Sequence, residues 1–347
     1  MSLPTDRTLP ADDVFDAAVS WRDAGKPVAL ATVVSTWGSS PRPPGSHLGV
    51  AADGAMTGSV SGGCIEGAVV KEALDILKGA PARVLEFGVT DEQAWDVGLA
   101  CGGSVKVLVR DFAPLAPLYA QARASLATGE TSALVTRLDS GETVMLGAGD
   151  LPGAVAGAAR QALRDDKSRA YAGDDGDWFI EVVAPPRRLI VIGAVHIAQA
   201  LVPMAAMAGF RVTVVDPRRA FASDARFPGV DVCTDWPDDA LDELKPDTRT
   251  AIVTLTHDPK LDDPALEKAL QSQAFYIGSL GSSRTQAKRV ERLTAAGFDE
   301  ASIARIHGPI GLRIGAQSPA EIAVSILAEI IARMRGTPDQ DSNRIKP

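Results

Sequence analysis

Residues 188–216 read RLIVIGAVHIAQALVPMAAMAGFRVTVVD, and their pattern decides the fold of the C-terminal half. The stretch predicts a buried apolar strand, a helix over 197–208 and a second strand that ends in an acid. Further apolar runs, each followed by a helical pattern, continue this alternation. The predicted strands are 188–193, 211–216, 250–256 and 274–278. Strands that alternate with helices are typical of a doubly wound parallel sheet, so we expect a Rossmann-like domain over 187–336.

The N-terminal half has a different pattern, in which short strands, helices and turn signals follow one another. Asp53-Gly54 lies between two predicted strands and favours a β-hairpin with a type I′ turn. We therefore expect an α/β protein whose N-terminal mixed α+β domain covers 1–184. The prolines at 185 and 186 form a stiff connector between the domains. The polar residues 337–347 are expected to form a disordered tail.

Length, charge and cysteine content narrow the functional classes. A chain of 347 residues exceeds what one core usually organises, which favours two domains. The net charge of −9 gives no electrostatic footprint for nucleic acid or an anionic membrane. Apolar stretches are interrupted well before membrane-spanning length, so no membrane span is expected. Three cysteines do not make a disulfide framework, and a reducing, cytoplasmic location is expected.

Two of the three cysteines lie beside glycines in the N-terminal half. Cys64 follows Gly62 and Gly63, and Cys101 precedes Gly102. The N–H groups of the helix predicted after Cys64 favour a thiolate, which is the nucleophilic and metal-binding form of cysteine. Two such thiols suit a soft metal or a sulfur-containing ligand. The alternative is that both are small buried hydrophobic residues.

The first turn of the C-terminal domain has the spacing of a dinucleotide-binding motif, and Asp216 ends the next strand. Val195 stands at the position of the central glycine and puts a β-branched side chain where a pyrophosphate normally approaches. We therefore favour a Rossmann-like scaffold with a different ligand over a nucleotide-binding domain. The alternative role for Asp216 is to cap the turn that follows it.

Polar residues also follow several of the predicted parallel strands. His196 and the pair His257-Asp258 stand at carboxyl ends of strands, where open α/β sheets bind ligands. They form either a converging acid–base or ligand-orienting set or ordinary solvated loops. Residues 278–284, GSLGSSR, precede a basic helix, and the loop N–H groups and Arg284 suit a phosphate. A simple helix cap is the alternative there.

Ordered motifs along nearly the whole chain resemble the XdhC/CoxI family, the accessory proteins of xanthine dehydrogenase and carbon monoxide dehydrogenase maturation. The N-terminal motifs are 36–45 (TWGSSPRPPG), 58–66 (GSVSGGCIE) and 101–103 (CGG). The C-terminal motifs are 193–196 (GAVH), 214–218 (VVDPR), 255–258 (LTHD), 276–284 (YIGSLGSSR) and 306–315 (IHGPIGLRIG). The chain departs from the family pattern at Val195, where glycine is usual.

The resemblance implies a protein that binds molybdenum cofactor, a pterin with a dithiolene and a phosphate. It implies protection of the cofactor while a cysteine desulfurase supplies sulfide, then delivery to an apo molybdenum hydroxylase, without turnover by the carrier itself. Cys64 and Cys101 are the implied molybdenum contacts, Arg42 pairs with the phosphate, and Glu66 accepts hydrogen bonds from the pterin. The other implied cofactor-binding residues are Gly62, Gly63, Gly102, His196, Asp216, His257, Asp258 and Arg284. Family analogy also implies a homodimer.

Two other functions are compatible with the residues. An NAD(P)-dependent oxidoreductase built on the C-terminal domain is suggested by the strand, turn and helix and by Asp216, although Val195 disfavours NAD(P). A nucleotide-sensing scaffold without chemistry is the second.

Overall fold

The computed structural model describes residues 14–38, 42–88 and 103–336, which divide into an N-terminal and a C-terminal unit between Pro185 and Pro186. The N-terminal helices are α1 (Val14–Asp23), α2 (Glu66–Ile76), α3 (Ala116–Ala127) and α4 (Gly153–Asp165). The N-terminal strands are β1 (Val28–Trp37), β2 (His47–Ala51), β3 (Met56–Gly58), β4 (Arg83–Phe87), β5 (Ser104–Asp111), β6 (Ser132–Arg137), β7 (Thr143–Met145), β8 (Arg169–Gly173) and β9 (Gly176–Val183).

Two antiparallel sheets form the N-terminal unit. Their strand orders are β3-β2-β1-β5-β4 and β7-β6-β9-β8. Alternate residues of β1 point to opposite faces of the sheet. On one face, Ala29, Ala31 and Val33 pack against α2. Val28 and Leu30 pack instead with α1, α3 and the second sheet. Helix α4 covers the other face of the second sheet. The mixed α+β expectation is confirmed.

The hairpin of β2 and β3 forms as expected, but its turn differs from the prediction. Gly54 has a φ of 85°, whereas Asp53 has no positive φ. The N–H of Gly54 donates to the carbonyl of Ala51 at 2.9 Å, and the N–H of Ala51 donates to the carbonyl of Ala55 at 2.8 Å. The connection is therefore a three-residue loop with one left-handed glycine. The prediction of a type I′ turn is therefore wrong. An Asp-Gly pair is compatible with a two-residue type I′ turn and with this three-residue loop, so the pair alone does not distinguish them.

The C-terminal unit contains one parallel sheet covered on both faces. Its strands are β10 (Arg188–Ile192), β11 (Arg211–Val215), β12 (Asp231–Cys233), β13 (Thr250–Thr254), β14 (Tyr276–Ser279) and β15 (Ile306–His307). Its helices are α5 (His196–Met207), α6 (Pro237–Leu244), α7 (Pro259–Gln271), α8 (Ser283–Ala295), α9 (Glu300–Ile303) and α10 (Pro319–Met334). The strand order is β12-β11-β10-β13-β14-β15. Helices α5 and α10 pack on one face, and α6 to α9 pack on the other. The doubly wound, Rossmann-like fold is confirmed.

Gly193, at the end of β10, shows why the first turn needs a glycine. Its φ is 106°, and an added Cβ would lie 2.5 Å from Cγ2 of Thr256. The segment after β13 therefore passes too close for any side chain at this position.

A buried polar network joins the two sheets of the N-terminal unit. The His47 ring lies 3.1 Å from the Thr32 hydroxyl through Nδ1 and 2.8 Å from the Glu181 carboxylate through Nε2. The Tyr119 hydroxyl donates to the other Glu181 oxygen at 2.7 Å. Burial raises the pKa of the Glu181 carboxyl, but His47, Tyr119 and the nearby Arg110 outweigh it, so the pKa lies below its usual value. A buried carboxylate thus ties one sheet to the other.

We expect His47→Ala to lower the free energy of unfolding by about 3 kcal/mol, because it leaves the buried Glu181 carboxylate without a main hydrogen-bond partner. The measurement is urea denaturation of the full chain, followed by circular dichroism. His196→Ala removes an exposed histidine and serves as the control, with an expected change below about 0.5 kcal/mol. Equal stabilities of the two variants would show that the network contributes little.

Candidate functional site

A glycine-rich loop, residues 58–64, connects β3 to α2. Gly58, Gly62 and Gly63 have positive φ values of 82°, 83° and 125°. At Gly58 no other residue fits, because an added Cβ would lie 2.3 Å from the carbonyl oxygen of His47. At Gly63 an added Cβ would meet nothing within 4 Å. The loop is therefore packed tightly at its start and open at its end.

The carboxylate of Glu66, in the first turn of α2, holds the glycine-rich loop in place. Its hydrogen-bond donors are the N–H groups of Val60, Ser61, Gly62 and Gly63 and the hydroxyls of Ser59 and Ser61, at 2.5–3.3 Å. Burial raises the pKa of this carboxyl, but the donors outweigh burial and lower the pKa to about 2. Glu66 is therefore a permanent anion inside its own loop.

This geometry changes the role expected of Glu66. Both of its oxygens are occupied by donors of the loop, so neither is open to a pterin nitrogen. The N–H groups of Gly62 and Gly63 also donate to Glu66, and Gly62 additionally donates to the Ser59 hydroxyl at 2.8 Å. Glu66 is therefore a positioning residue. The N–H groups of Gly62 and Gly63 are already bound to it, so these glycines contribute small size to the site and not free hydrogen-bond donors.

Cys64 lies at the open end of the loop, two residues before α2. Its thiol is exposed, which excludes the interpretation of Cys64 as a buried hydrophobic residue. Gly63 and Gly67 flank it, and a Cβ added at either would meet nothing within 4 Å. A bulky ligand can therefore approach the sulfur along the backbone. The other expected thiol, Cys101, and its neighbour Gly102 lie outside the described residues.

Arg42 reaches the same loop from the segment that precedes β2. Its Nε donates to the carbonyl of Ser59 at 3.1 Å, and the side chain is half-buried. The structure therefore brings Arg42, Glu66 and Cys64 to one loop, and the first two both bind Ser59 of that loop.

Asp216, at the end of β11, is fully buried and serves the glycine turn of the C-terminal unit. One oxygen accepts from the N–H of Ala194 at 2.8 Å, and Arg218 contacts both oxygens through its guanidinium at 2.7 and 2.8 Å. Burial raises the pKa of the carboxyl, but these donors lower it overall. The carboxylate has no open lone pair for a ribose hydroxyl, so the turn-capping interpretation fits and an oxidoreductase finds no support at Asp216.

The residues expected at the carboxyl edge of the parallel sheet differ in their hydrogen bonds and exposure. His196 begins α5 and is exposed, and its ring makes no hydrogen bond to the described residues. Asp258 caps α7 by accepting from the N–H of Lys260 at 3.0 Å. His257 and Arg284 do come together, because both line one pocket.

Sequence reasoning missed the other three cations of that pocket, Lys288, Arg289 and Arg292. A signal for them was present, since cations at 284, 288 and 292 recur every four residues and so share one helix face. Arg289 is nearly fully buried, which the helical pattern does not predict.

The described residues contain neither a cluster of metal-ligating side chains nor a membrane-spanning helix. Within 14–38, 42–88 and 103–336, no group of three His, Cys, Asp or Glu side chains is placed to hold a metal ion. In the same ranges, every helix is too short or too polar to cross a membrane.

Family models match both units of the chain. A model described as the XdhC and CoxI family matches residues 21–88, and a model described as the XdhC Rossmann domain matches 189–330. Together they cover more than half of the chain. The chain belongs to the XdhC/CoxI family. The resemblance found in the motifs is thereby confirmed.

Two relatives and one solved structure resemble this XdhC/CoxI protein over most of its length. The molybdenum cofactor insertion chaperone PaoD of Escherichia coli is 28% identical over 320 residues, 92% of this chain and 87% of PaoD. A probable xanthine dehydrogenase subunit from Bacillus subtilis is 29% identical over 309 residues, 87% of this chain and 92% of the relative. A crystal structure of a xanthine dehydrogenase from Bacillus halodurans has a TM-score of 0.74 at 24% identity, covers 95% of this chain and 98% of its own, and shares the fold.

In this XdhC/CoxI protein we expect Glu66→Gln to raise the amide exchange rates of residues 61–63 about tenfold, because an amide cannot replace both accepting oxygens. The measurement is hydrogen–deuterium exchange with mass spectrometry. Since the folded pKa of about 2 lies below the ordinary 4.5, the stabilisation by Glu66 is complete above pH 4.5 and lost toward pH 2. Asp75→Asn, on the same helix, is the control and should leave these amides unchanged; equal exchange in both variants would refute the positioning role.

We also expect iodoacetamide to alkylate Cys64 at least about ten times faster than Cys233, because the thiolate is the reactive form and must be accessible. Cys64 is exposed, whereas Cys233 packs beside the core and burial raises the pKa of its thiol. Peptide mass spectrometry of a time course gives both rates. Faster modification of Cys233 would contradict this view of the loop.

Proposed function

We propose that this protein binds molybdenum cofactor and delivers it to an apo molybdenum hydroxylase of the xanthine dehydrogenase type. The observation that carries the proposal is the exposed Cys64 thiol on a glycine-rich loop that Glu66 holds in place. The names of two relatives support it: one is a molybdenum cofactor insertion chaperone, the other a probable xanthine dehydrogenase subunit. The protein thus serves the maturation of another enzyme.

The loop suits this cargo chemically. Thiolates are soft ligands and bind soft or polarisable centres such as sulfur-ligated molybdenum. The open space beside Gly63 and Gly67 admits a planar pterin next to the sulfur of Cys64. A carrier must also release its cargo. One or two thiol contacts exchange more readily than a closed cage of ligands, so an exposed cysteine fits delivery better than storage.

The loop is also organised before any ligand arrives. Six hydrogen bonds to Glu66 and the bond from Arg42 to Ser59 fix the backbone around Cys64. A preorganised site loses less conformational entropy on binding than a flexible one. The cofactor therefore meets a thiol whose position is already set, which favours binding through few contacts.

We further propose that Cys101 and Gly102 complete the cofactor contact and that the bound cofactor is protected while a cysteine desulfurase supplies sulfide. Cys101 lies beside glycines as Cys64 does, which supports a similar role. A second thiol would raise cofactor retention without enclosing the molybdenum.

We expect the protein purified from cells that make molybdenum cofactor to contain molybdenum and pterin near one equivalent each. Cys64→Ser should lower retention at least about tenfold, corresponding to the loss of one ligand contact of about 1.4 kcal/mol. Molybdenum is measured by mass spectrometry of the acid-digested protein, and pterin by fluorescence after oxidation. Cys233→Ser is the control, since Cys233 packs beside the core of the C-terminal unit.

Three further arms separate binding from delivery. The variant Cys64→Ser/Cys101→Ser should retain still less cofactor than Cys64→Ser. Loaded wild-type protein should activate an apo xanthine dehydrogenase in a purified mixture, and loaded Cys233→Ser should do so equally well. Unchanged retention in the double variant would refute the thiol contact, and cofactor binding without activation would refute delivery.

A further inference from the structure

A pocket of about 200 Å³ opens at the carboxyl edge of the parallel sheet, within the C-terminal unit. One wall is the start of α7, and the other is a face of α8. The lining residues are His257, Pro259, Asp262, Arg284, Thr285, Lys288, Arg289 and Arg292. Ligands of open α/β sheets bind at this edge, so the position itself is suited to recognition.

The α8 wall of the pocket carries an excess of positive charge. The side chains of Arg284 and Lys288 are exposed. They make no hydrogen bond or ion pair with the residues that the structure describes. Arg292 is bound by both oxygens of Asp263, at 2.5 and 2.9 Å. Two cations of the wall are therefore uncommitted, in a protein whose net charge is −9.

A buried arginine, Arg289, supports anion binding independently of the exposed cations. Its side chain is 1% exposed, its Nη2 donates to the carbonyl of Leu280 at 2.9 Å, and its Nη1 donates to Gln286. Its Nε has no acceptor within the described part of the chain. A buried donor without an acceptor is unfavourable, and an anion in the pocket that Arg289 lines would supply the missing acceptor.

The backbone at the mouth of the pocket adds two features. His257 has a φ of 61°, a left-handed conformation that is strained for a residue other than glycine and is common at ligand sites. Helix α8 begins here with Ser282 as its cap, so its first N–H groups and the positive end of its dipole are close to Arg284. The helix N-terminus favours negative charge at this place.

Two carboxyl groups face these cations from α7: Asp263, which binds Arg292, and Asp262. Asp262 is 2% exposed and accepts from the Thr256 hydroxyl at 2.7 Å. Burial raises the pKa of this carboxyl, although Thr256 and Arg289 oppose the shift. Asp262 binds Thr256 and Asp263 binds Arg292, so the side chains of Arg284 and Lys288 remain unpaired within the described structure.

We propose that this pocket binds the phosphoryl group of a phosphate ester or diphosphate, held by Arg284, Lys288 and Arg289. Two guanidinium groups and one ammonium group can reach a tetrahedral dianion from different sides, and charge-assisted bonds of this kind are strong and specific for phosphate. The inference does not depend on the cofactor contact proposed at Cys64, because every group involved belongs to the C-terminal unit. A pocket of this volume holds one or two phosphoryl groups and leaves the remainder of the ligand outside.

The test is isothermal titration calorimetry of the full chain with inorganic pyrophosphate at low salt. We expect micromolar binding that weakens at least tenfold in Arg284→Gln/Lys288→Gln. The control Lys268→Gln/Arg335→Gln removes two charges from the same unit outside the pocket and should bind like the wild type. Absence of heat with the wild type, or equal affinity in both double variants, would overturn the proposal.

Two further measurements sharpen the result. Sulfate is a tetrahedral dianion that resembles a single phosphoryl group, so sulfate binding as tight as that of pyrophosphate would refute phosphate selectivity. Arg289→Lys keeps the cation and loses Nε, and we expect it to weaken pyrophosphate binding while thermal denaturation shows a folded protein. Titration with cytidine diphosphate identifies the source: tighter binding than pyrophosphate indicates a nucleotide, and equal binding indicates that the phosphoryl groups alone are recognised.

Discussion

The backbone N–H groups of glycine turns, donated to the protein's own carboxylates, shape the candidate sites of both units. Glu66 accepts from four consecutive N–H groups of its loop, and Asp216 accepts from the N–H of Ala194 after β10. In many proteins such turns hold the anion of a ligand. Here a side chain holds the same position, so each turn is rigid before any ligand binds. The N–H groups that bind these carboxylates are therefore not available to a phosphate.

An anionic ligand therefore needs hydrogen-bond donors other than the N–H groups that Glu66 and Asp216 accept from. A protein with a net charge of −9 repels anions at long range, so an anionic ligand needs a local excess of donors. Arg218 cannot supply it, because its guanidinium is committed to Asp216. Arg284 and Lys288, on the exposed face of α8, are not committed within the described structure. The exposed thiol of Cys64 belongs to a different kind of chemistry, in which softness matters more than charge.

Short-range patterns in the sequence were sufficient to predict the fold class. The apolar run over 188–193 predicts β10 because a parallel strand is buried on both faces, and the strand ends one residue earlier, at Ile192. The roles of the site residues needed the structure, since they depend on the partner that each side chain meets. The spacing of Glu66 from its loop does not reveal that its oxygens face inward. His47 and Glu181 meet across 134 residues, which no periodicity predicts.

The cations of α8 could be predicted from the sequence only in part. Their four-residue spacing, visible in the sequence, places Arg284, Lys288 and Arg292 on one helix face, and alone it describes an ordinary solvated surface. A ligand site differs from such a surface when a neighbouring side chain is buried with an unsatisfied hydrogen-bond donor, because burial excludes the water that would otherwise accept from that donor. Arg289 is such a neighbour, with an Nε that lacks an acceptor in the described structure. Its burial follows from the packing of α8 beside α7, a contact between segments that the helical pattern of either segment does not encode. A charge pattern becomes an argument for ligand binding only when packing also isolates one of its donors from solvent.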